Sequence, residues 1–91
     1  MGDMHEEEKI ETLSDTIDFM CSKDYKDRFK AEYYQTRIRY DKLHKMLVKY
    51  DAGTLEFQPT CPIEILRNQC SHMGIYLYDL EVRAEIEKIE L

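Results

Sequence analysis

Apolar and aromatic residues recur at alternating steps of four and three along one stretch of this chain: Phe29, Tyr33, Thr36, Tyr40, Leu43, Leu47 and Tyr50. A strand would instead need alternation in steps of two, so this spacing predicts one long amphipathic helix. A second seam at the same steps, Ile63, Leu66, Cys70, Met73, Leu77, Leu80 and Ala84, predicts a partner helix of matching length. Gly53, Pro59 and Pro62 lie between the two, where helix is hard to continue. Each seam must be covered, and two such helices joined by one connector cover each other most directly as an antiparallel hairpin. The expected fold class is therefore all-α.

The sequence places the helices at about residues 11–20, 23–51 and 62–88. The first is short, with Ile10, Leu13, Ile17 and Met20 at helical spacing, and needs a partner to be stable. Ser22 reads as the N-cap of the second, with Asp24 and Asp27 at the positive end of its dipole and Gly53 as its stop. In the connector, the alternation Leu55, Phe57 predicts an extended piece that tucks both side chains against the helices. Thr60 or Cys61 should cap the third helix, with Pro62 in its first turn and Glu64 favourably placed. With the turn near residues 56–57, facing positions sum to about 113, which brings Leu43 near Cys70 and Arg39 near Met73 to Tyr76. Residues 1–9 are polar and acidic and are expected to be disordered, which leaves residues 10–91 as one helical-hairpin domain.

A chain of 91 residues holds one small domain, and helix pairs of this size commonly gain stability by self-association. The second long helix carries another apolar row, Ile75, Tyr78, Val82, Ile86 and Ile89, which cannot face the first helix while the main seam does. The short helix has too few apolar groups to cover that row and its own, so a homo-oligomer, a dimer or higher, is expected.

The formal charge of −6 argues against a protein that coats nucleic acid, although the distribution is uneven. Residues 1–22 hold one Lys against seven acids, residues 23–51 nine Lys and Arg against five acids, and residues 52–91 three against seven. Cations are thus interleaved with aromatic rings on the first long helix. Cys21, Cys61 and Cys70 have no CxxC or CxxH spacing and read as reduced thiols of a cytosolic protein. Neither a secretory signal nor a run of about 20 apolar residues is visible, so no membrane association is expected.

The chemistry-bearing residues do not assemble into a catalytic signature. His5, His44 and His72 lack a converging third ligand, and Cys70 and His72 stand two apart on a helix and so point to different sides. Glu6, Glu7 and Glu8 read as a solvated tail. No phosphate loop or nucleophilic triad is present, and neither an enzyme nor a cofactor is expected. What remains is the set Tyr33, Arg39, Lys42, Gln69, Tyr76 and Arg83. Arg offers a donor fork for phosphate, Lys a point charge, Tyr a stacking face and Gln a bidentate partner for a base edge. These are the parts of a nucleotide site, although the tyrosines also fit a core and Arg39 a surface ion pair with Glu32 or Asp41.

The pattern Glu32-Tyr33, Arg39, Lys42-Leu43, then Leu66, Gln69, Met73, Tyr76, Leu80 and Arg83 resembles a family of very small tailed-phage proteins of the crAssphage-related type. The stretches AEYYQTRIRYDKLHKMLVKYDAGTLEF and PTCPIEIL are similar to members from phages and prophages of gut Firmicutes. In layout the hairpin also resembles the phage sponge proteins that defeat CBASS and Thoeris signalling by sequestering cyclic nucleotide or cyclic ADP-ribose messengers without cleaving them. No short motif is shared with those proteins, and the connector with Leu55 and Phe57 has no counterpart in them. The resemblance implies an anti-defence protein in the cytoplasm of an infected bacterium, with a small cyclic nucleotide-type ligand held where hairpins meet. It further implies that Tyr33 or Tyr76 stacks on a base while Arg39, Lys42 and Arg83 hold phosphate. A helical interaction module that inhibits or adapts a host protein is the alternative, and its discriminating feature is the row Ile75, Tyr78, Val82 and Ile86. Direct binding of DNA or RNA through residues 23–51 is disfavoured by the acidic flanks.

Overall fold

The computed structural model describes residues 9–91, and among them every regular element is helical. A 3₁₀ turn, Leu13–Thr16, leads into a four-residue helix α1, Ile17–Met20; α2 spans Tyr25–Ala52 and α3 spans Ile63–Glu87. The expected disordered tail lies outside the described residues except for Lys9, as do His5 and Glu6 to Glu8. The chain forms two compact units that divide between Ile38 and Arg39, so α2 begins in one and ends in the other.

In the first unit, the expected short helix starts as a 3₁₀ turn and is shorter than its apolar spacing implied. The Asp15 carboxylate accepts from the backbone N–H groups of Glu11 and Thr12, both at 3.0 Å. These bonds hold the Asp15 pKa below its ordinary value. The apolar positions that drew attention to this segment stay largely outside: Leu13, Ile17 and Met20 are all exposed. The fully buried residue is Thr16, whose hydroxyl donates to the Leu13 carbonyl at 2.7 Å and accepts from Gln35 Nε2 at 2.8 Å. The same Gln35 nitrogen lies 3.4 Å from Met20 Sδ. A polar bond thus fixes this segment to α2.

The N-cap of α2 is Asp24 rather than Ser22. Its carboxylate accepts from the Lys26 N–H at 3.0 Å, and its carbonyl accepts the first helical bond, from Arg28. Ser22 supports the cap from outside: its hydroxyl accepts from the Asp24 N–H and donates to the Asp27 carboxylate. With 28 residues α2 is about 42 Å long. It ends at Gly53, whose φ of 78° is open to glycine without steric cost, and the Gly53 and Thr54 N–H groups close back onto the Tyr50 and Lys49 carbonyls.

In the second unit, the end of α2 and α3 run antiparallel. Arg67 forks onto Asp51 through two hydrogen bonds, and about two turns further along α3 Gly74 lies against the ring of Tyr40. These pairings stay within about a turn of the expected register. The predicted seam of α3 is the buried one: Cys70, Leu77, Leu80 and Ala84 are all inside, as is Leu47 of α2. Pro62, rather than Thr60 or Cys61, occupies the N-cap of α3, so the helix starts one residue later than expected, and it makes no side-chain capping bond. Of the connector's two apolar residues only Leu55 is half-buried; Phe57 remains 59% exposed, so the connector does not pin itself down as its alternation implied.

The second apolar row also splits. Ile75, Tyr78, Val82 and Ile86 are exposed, but Ile89 is buried. Helix α3 stops at Glu87 because Lys88 adopts the left-handed conformation, φ 60° and ψ 46°, and the Ile89 N–H turns back to the Ala84 carbonyl. Ile89 therefore leaves the helical row and folds inward.

Candidate functional site

The face shared by the end of α2 and the first half of α3 holds an open groove of about 590 Å³, within the usual range for small-molecule sites. One wall is built from Tyr40 and His44, one turn apart on α2. Their rings stack with centroids 5.8 Å apart and planes 12° from parallel, an offset arrangement that presents a flat aromatic surface. Gly74 stands opposite. A Cβ at this position would sit 3.4 Å from Tyr40 Cε1, so the missing side chain lets the ring lie close to α3. Leu47, Val48 and Ile75 add apolar surface, and Tyr78 and Ser71 add hydroxyls.

Polar chemistry gathers at the end nearest the connector, where Arg67 grips Asp51 at 3.1 Å and 2.5 Å. The guanidinium holds the Asp51 carboxyl below its ordinary pKa, mainly through these hydrogen bonds, and the carboxylate raises that of Arg67 in return. Both side chains are about half-exposed and reachable from the groove. Cys70 lies at the base, buried, and burial pushes its thiol pKa up, which makes it a poor nucleophile.

A second depression, about 520 Å³, lies along α3 and is lined by Ile65, Asn68, Gln69, His72, Met73 and Tyr76. It brings together Gln69 and Tyr76 of the sequence-derived candidates. Arg39 and Lys42 are exposed on α2 and line neither of these grooves. Arg83 is exposed and pairs with Glu87 at 3.3 Å along α3. Tyr33, in the first unit, is only 5% exposed; its hydroxyl accepts from Arg37 Nη1 at 2.9 Å and its ring meets Tyr34 edge-on. His44 and His72 line different grooves, and among the described residues no three His, Cys, Asp or Glu side chains converge on a metal position. None of the described helices is long and apolar enough to cross a membrane.

The residues that sequence reasoning passed over are Tyr40, His44, Asp51 and Arg67. One signal pointed to them: Gly74 sits inside a helical pattern, where glycine costs up to about 1 kcal/mol relative to alanine and usually marks a close approach.

Residues 23–86, which take in both long helices, match the family model described as Sequestin. No curated protein and no solved structure matches the chain.

Proposed function

The chain belongs to the Sequestin family, and from that premise we propose that it works by sequestration, binding a small ligand and withholding it. The match over residues 23–86 is the observation that carries this reading. The proposed ligand is a cyclic nucleotide or cyclic ADP-ribose type immune messenger, the class implied by the resemblance to phage sponges, and the setting is the cytoplasm of an infected bacterium. Sequestration asks for affinity without turnover: nanomolar binding corresponds to about −12 kcal/mol, drawn from stacking and charge-assisted hydrogen bonds. Aromatic faces at Tyr40, His44 and Tyr76, with Arg39, Lys42, Arg67 and Arg83 as exposed cations, are side chains of the right kind.

Native mass spectrometry with a panel of cyclic dinucleotides, cyclic trinucleotides and cyclic ADP-ribose isomers tests the proposal. A bound mass is expected, and after denaturation the ligand should be recovered intact. No mass shift with any member removes the messenger reading, and a cleaved product replaces sequestration with catalysis. Arg39→Ala is expected to abolish binding while leaving helicity unchanged; undiminished binding would release Arg39 from the site.

The exposed row Ile75, Tyr78, Val82 and Ile86 supports a second reading, a surface for another protein. If the row stays accessible to solvent in the purified protein and no ligand binds, an inhibitor or adaptor of a host protein is the better description.

A further inference from the structure

We propose that the outward face of α3 is the interface of an antiparallel homodimer, in which a two-fold axis passes between Ile75 and Tyr76 and sets His72 of each copy against the partner's Asp79. The pairing is independent of which ligand the protein withholds.

The face of α3 opposite its buried seam carries Ile65, Asn68, His72, Ile75, Asp79, Val82 and Ile86, all exposed and spaced at steps of three and four along the whole helix. That is a heptad seam, the spacing that keeps one helix packed on another over many turns. The depression of about 520 Å³ lies along the first half of the same face and belongs to α3 alone. Ile65, Asn68, Gln69 and His72 frame one hole at positions i, i+3, i+4 and i+7, and Gln69, His72, Met73 and Tyr76 frame the next. Four residues so spaced make the hole into which a knob of a facing helix inserts, so the occupant that fits is a helix.

The polar residues of the seam decide that this helix is a second α3 and which way it runs. Parallel pairing in register would set Asp79 on Asp79 and His72 on His72. Antiparallel pairing about Ile75 and Tyr76 instead sets Ile65 opposite the partner's Ile86, His72 opposite the partner's Asp79 and Asn68 opposite the partner's Arg83, each twice by symmetry. An imidazole N–H then donates to a carboxylate, and the partner's Val82 and Asp79 fall opposite the two holes. Sliding the pair by one heptad sets Asp79 against its own copy in one direction and against Ile65 in the other. The polar pair therefore fixes the register, as single polar residues do in other helix seams.

Charge outside the seam agrees. From Tyr76 to Glu87, α3 carries four acids against one Arg, whereas residues 42–49, the part of α2 beside the first half of α3, carry Lys42, Lys45 and Lys49 and no acid. Antiparallel pairing lays the acidic end of each copy over the basic end of the other, and parallel pairing lays like on like.

Cysteine cross-linking of the full chain reads direction and register together. In a background carrying Cys21→Ser and Cys61→Ser, co-expressed Ile65→Cys and Ile86→Cys chains should oxidise to a covalent dimer at least fivefold more abundant than either chain forms alone. In the antiparallel pair the two copies of either position lie about 31 Å apart along α3, beyond the reach of a disulfide. Light scattering of the natural sequence should give at least twice the chain mass. Asp79→Lys should halve that mass with circular dichroism unchanged, and adding His72→Glu to it should restore the mass by reversing the pair. A covalent dimer from Ile65→Cys alone, no cross-link in the mixture, or a mass that survives Asp79→Lys overturns the proposal. A natural chain that is monomeric overturns it too, and leaves the row open to a different protein.

Discussion

Gln35 Nε2 donates to the hydroxyl of Thr16 at 2.8 Å, and Thr16 has no solvent exposure at all. The bond spans nineteen positions of sequence and ties the 3₁₀ turn to α2, in a segment where Leu13, Ile17 and Met20 are exposed and Ile10 and Phe19 are only half-buried. Thr16→Val keeps the shape and removes the acceptor. Chemical denaturation should show a loss of about 1–2 kcal/mol, the cost of an unmade buried bond, and amides of residues 13–20 should exchange faster. Unchanged exchange would mean that this segment is held by something other than the Thr16–Gln35 bond.

Lys88 holds a left-handed conformation that costs a side-chain-bearing residue roughly 1–2 kcal/mol. Lys88→Gly should therefore stabilise the protein by about 0.5–1 kcal/mol, net of the greater freedom of glycine in the unfolded chain. The check is a thermal melt at fixed protein concentration, in which the midpoint should rise. A fall would show that contacts of the lysine side chain outweigh the backbone relief.

Two positions on α3 separate core from surface. Leu80 is 1% exposed, so Leu80→Ala should cost about 2–5 kcal/mol. Ile86 is 73% exposed, and Ile86→Ala should change the stability of an isolated chain by less than about 0.5 kcal/mol. A proposed homo-oligomer that covers the row would alter that second result: Ile86→Lys would then lower the mass measured by light scattering and remove the concentration dependence that the melt of an oligomer shows. An unchanged mass would place Ile86 outside any such interface.

Asp51 supplies the pH prediction. Its carboxyl is held below the ordinary 3.8, first by hydrogen bonds from Arg67. A depressed carboxylate contributes stability that is present above the unfolded pKa and is lost as pH falls through the folded value, so the contribution should fade below about pH 4. Carbon-detected titration of the Asp51 carboxyl should show a midpoint under 3.8 that returns toward 3.8 in Arg67→Met. A midpoint unaffected by that substitution would remove Arg67 as the cause.

Periodicity carried the architecture well because it records which face must be buried, and that requirement follows directly from composition along a helix. Both long helices end within about two residues of their expected limits. The expected positions failed where a single backbone angle or one polar bond decided the outcome. Nothing in the residue type of Lys88 announces a left-handed turn, so Ile89 was counted with the exposed row it leaves. The burial of Thr16 depends on a partner nineteen residues away, which spacing cannot reveal. At the site, Tyr40 was legible as part of a stripe but not as half of a stacked pair with His44, because stacking needs ring orientation. Arg67 and Asp51 stand sixteen positions apart in sequence and meet only through the antiparallel pairing, which their residue types do not announce.

That pairing also acts as a gate on the connector. Asp51 and Arg67 close its base across two strands of chain whose spacing they fix, so its length is largely uncoupled from the register of the hairpin above. Lengthening such a closed loop is thermodynamically mild, about 0.6 kcal/mol for each doubling, and Phe57 at 59% exposure marks a point where little packing would be disturbed. The segment around residues 56–58 is thus a ready port for an inserted tag or fluorophore.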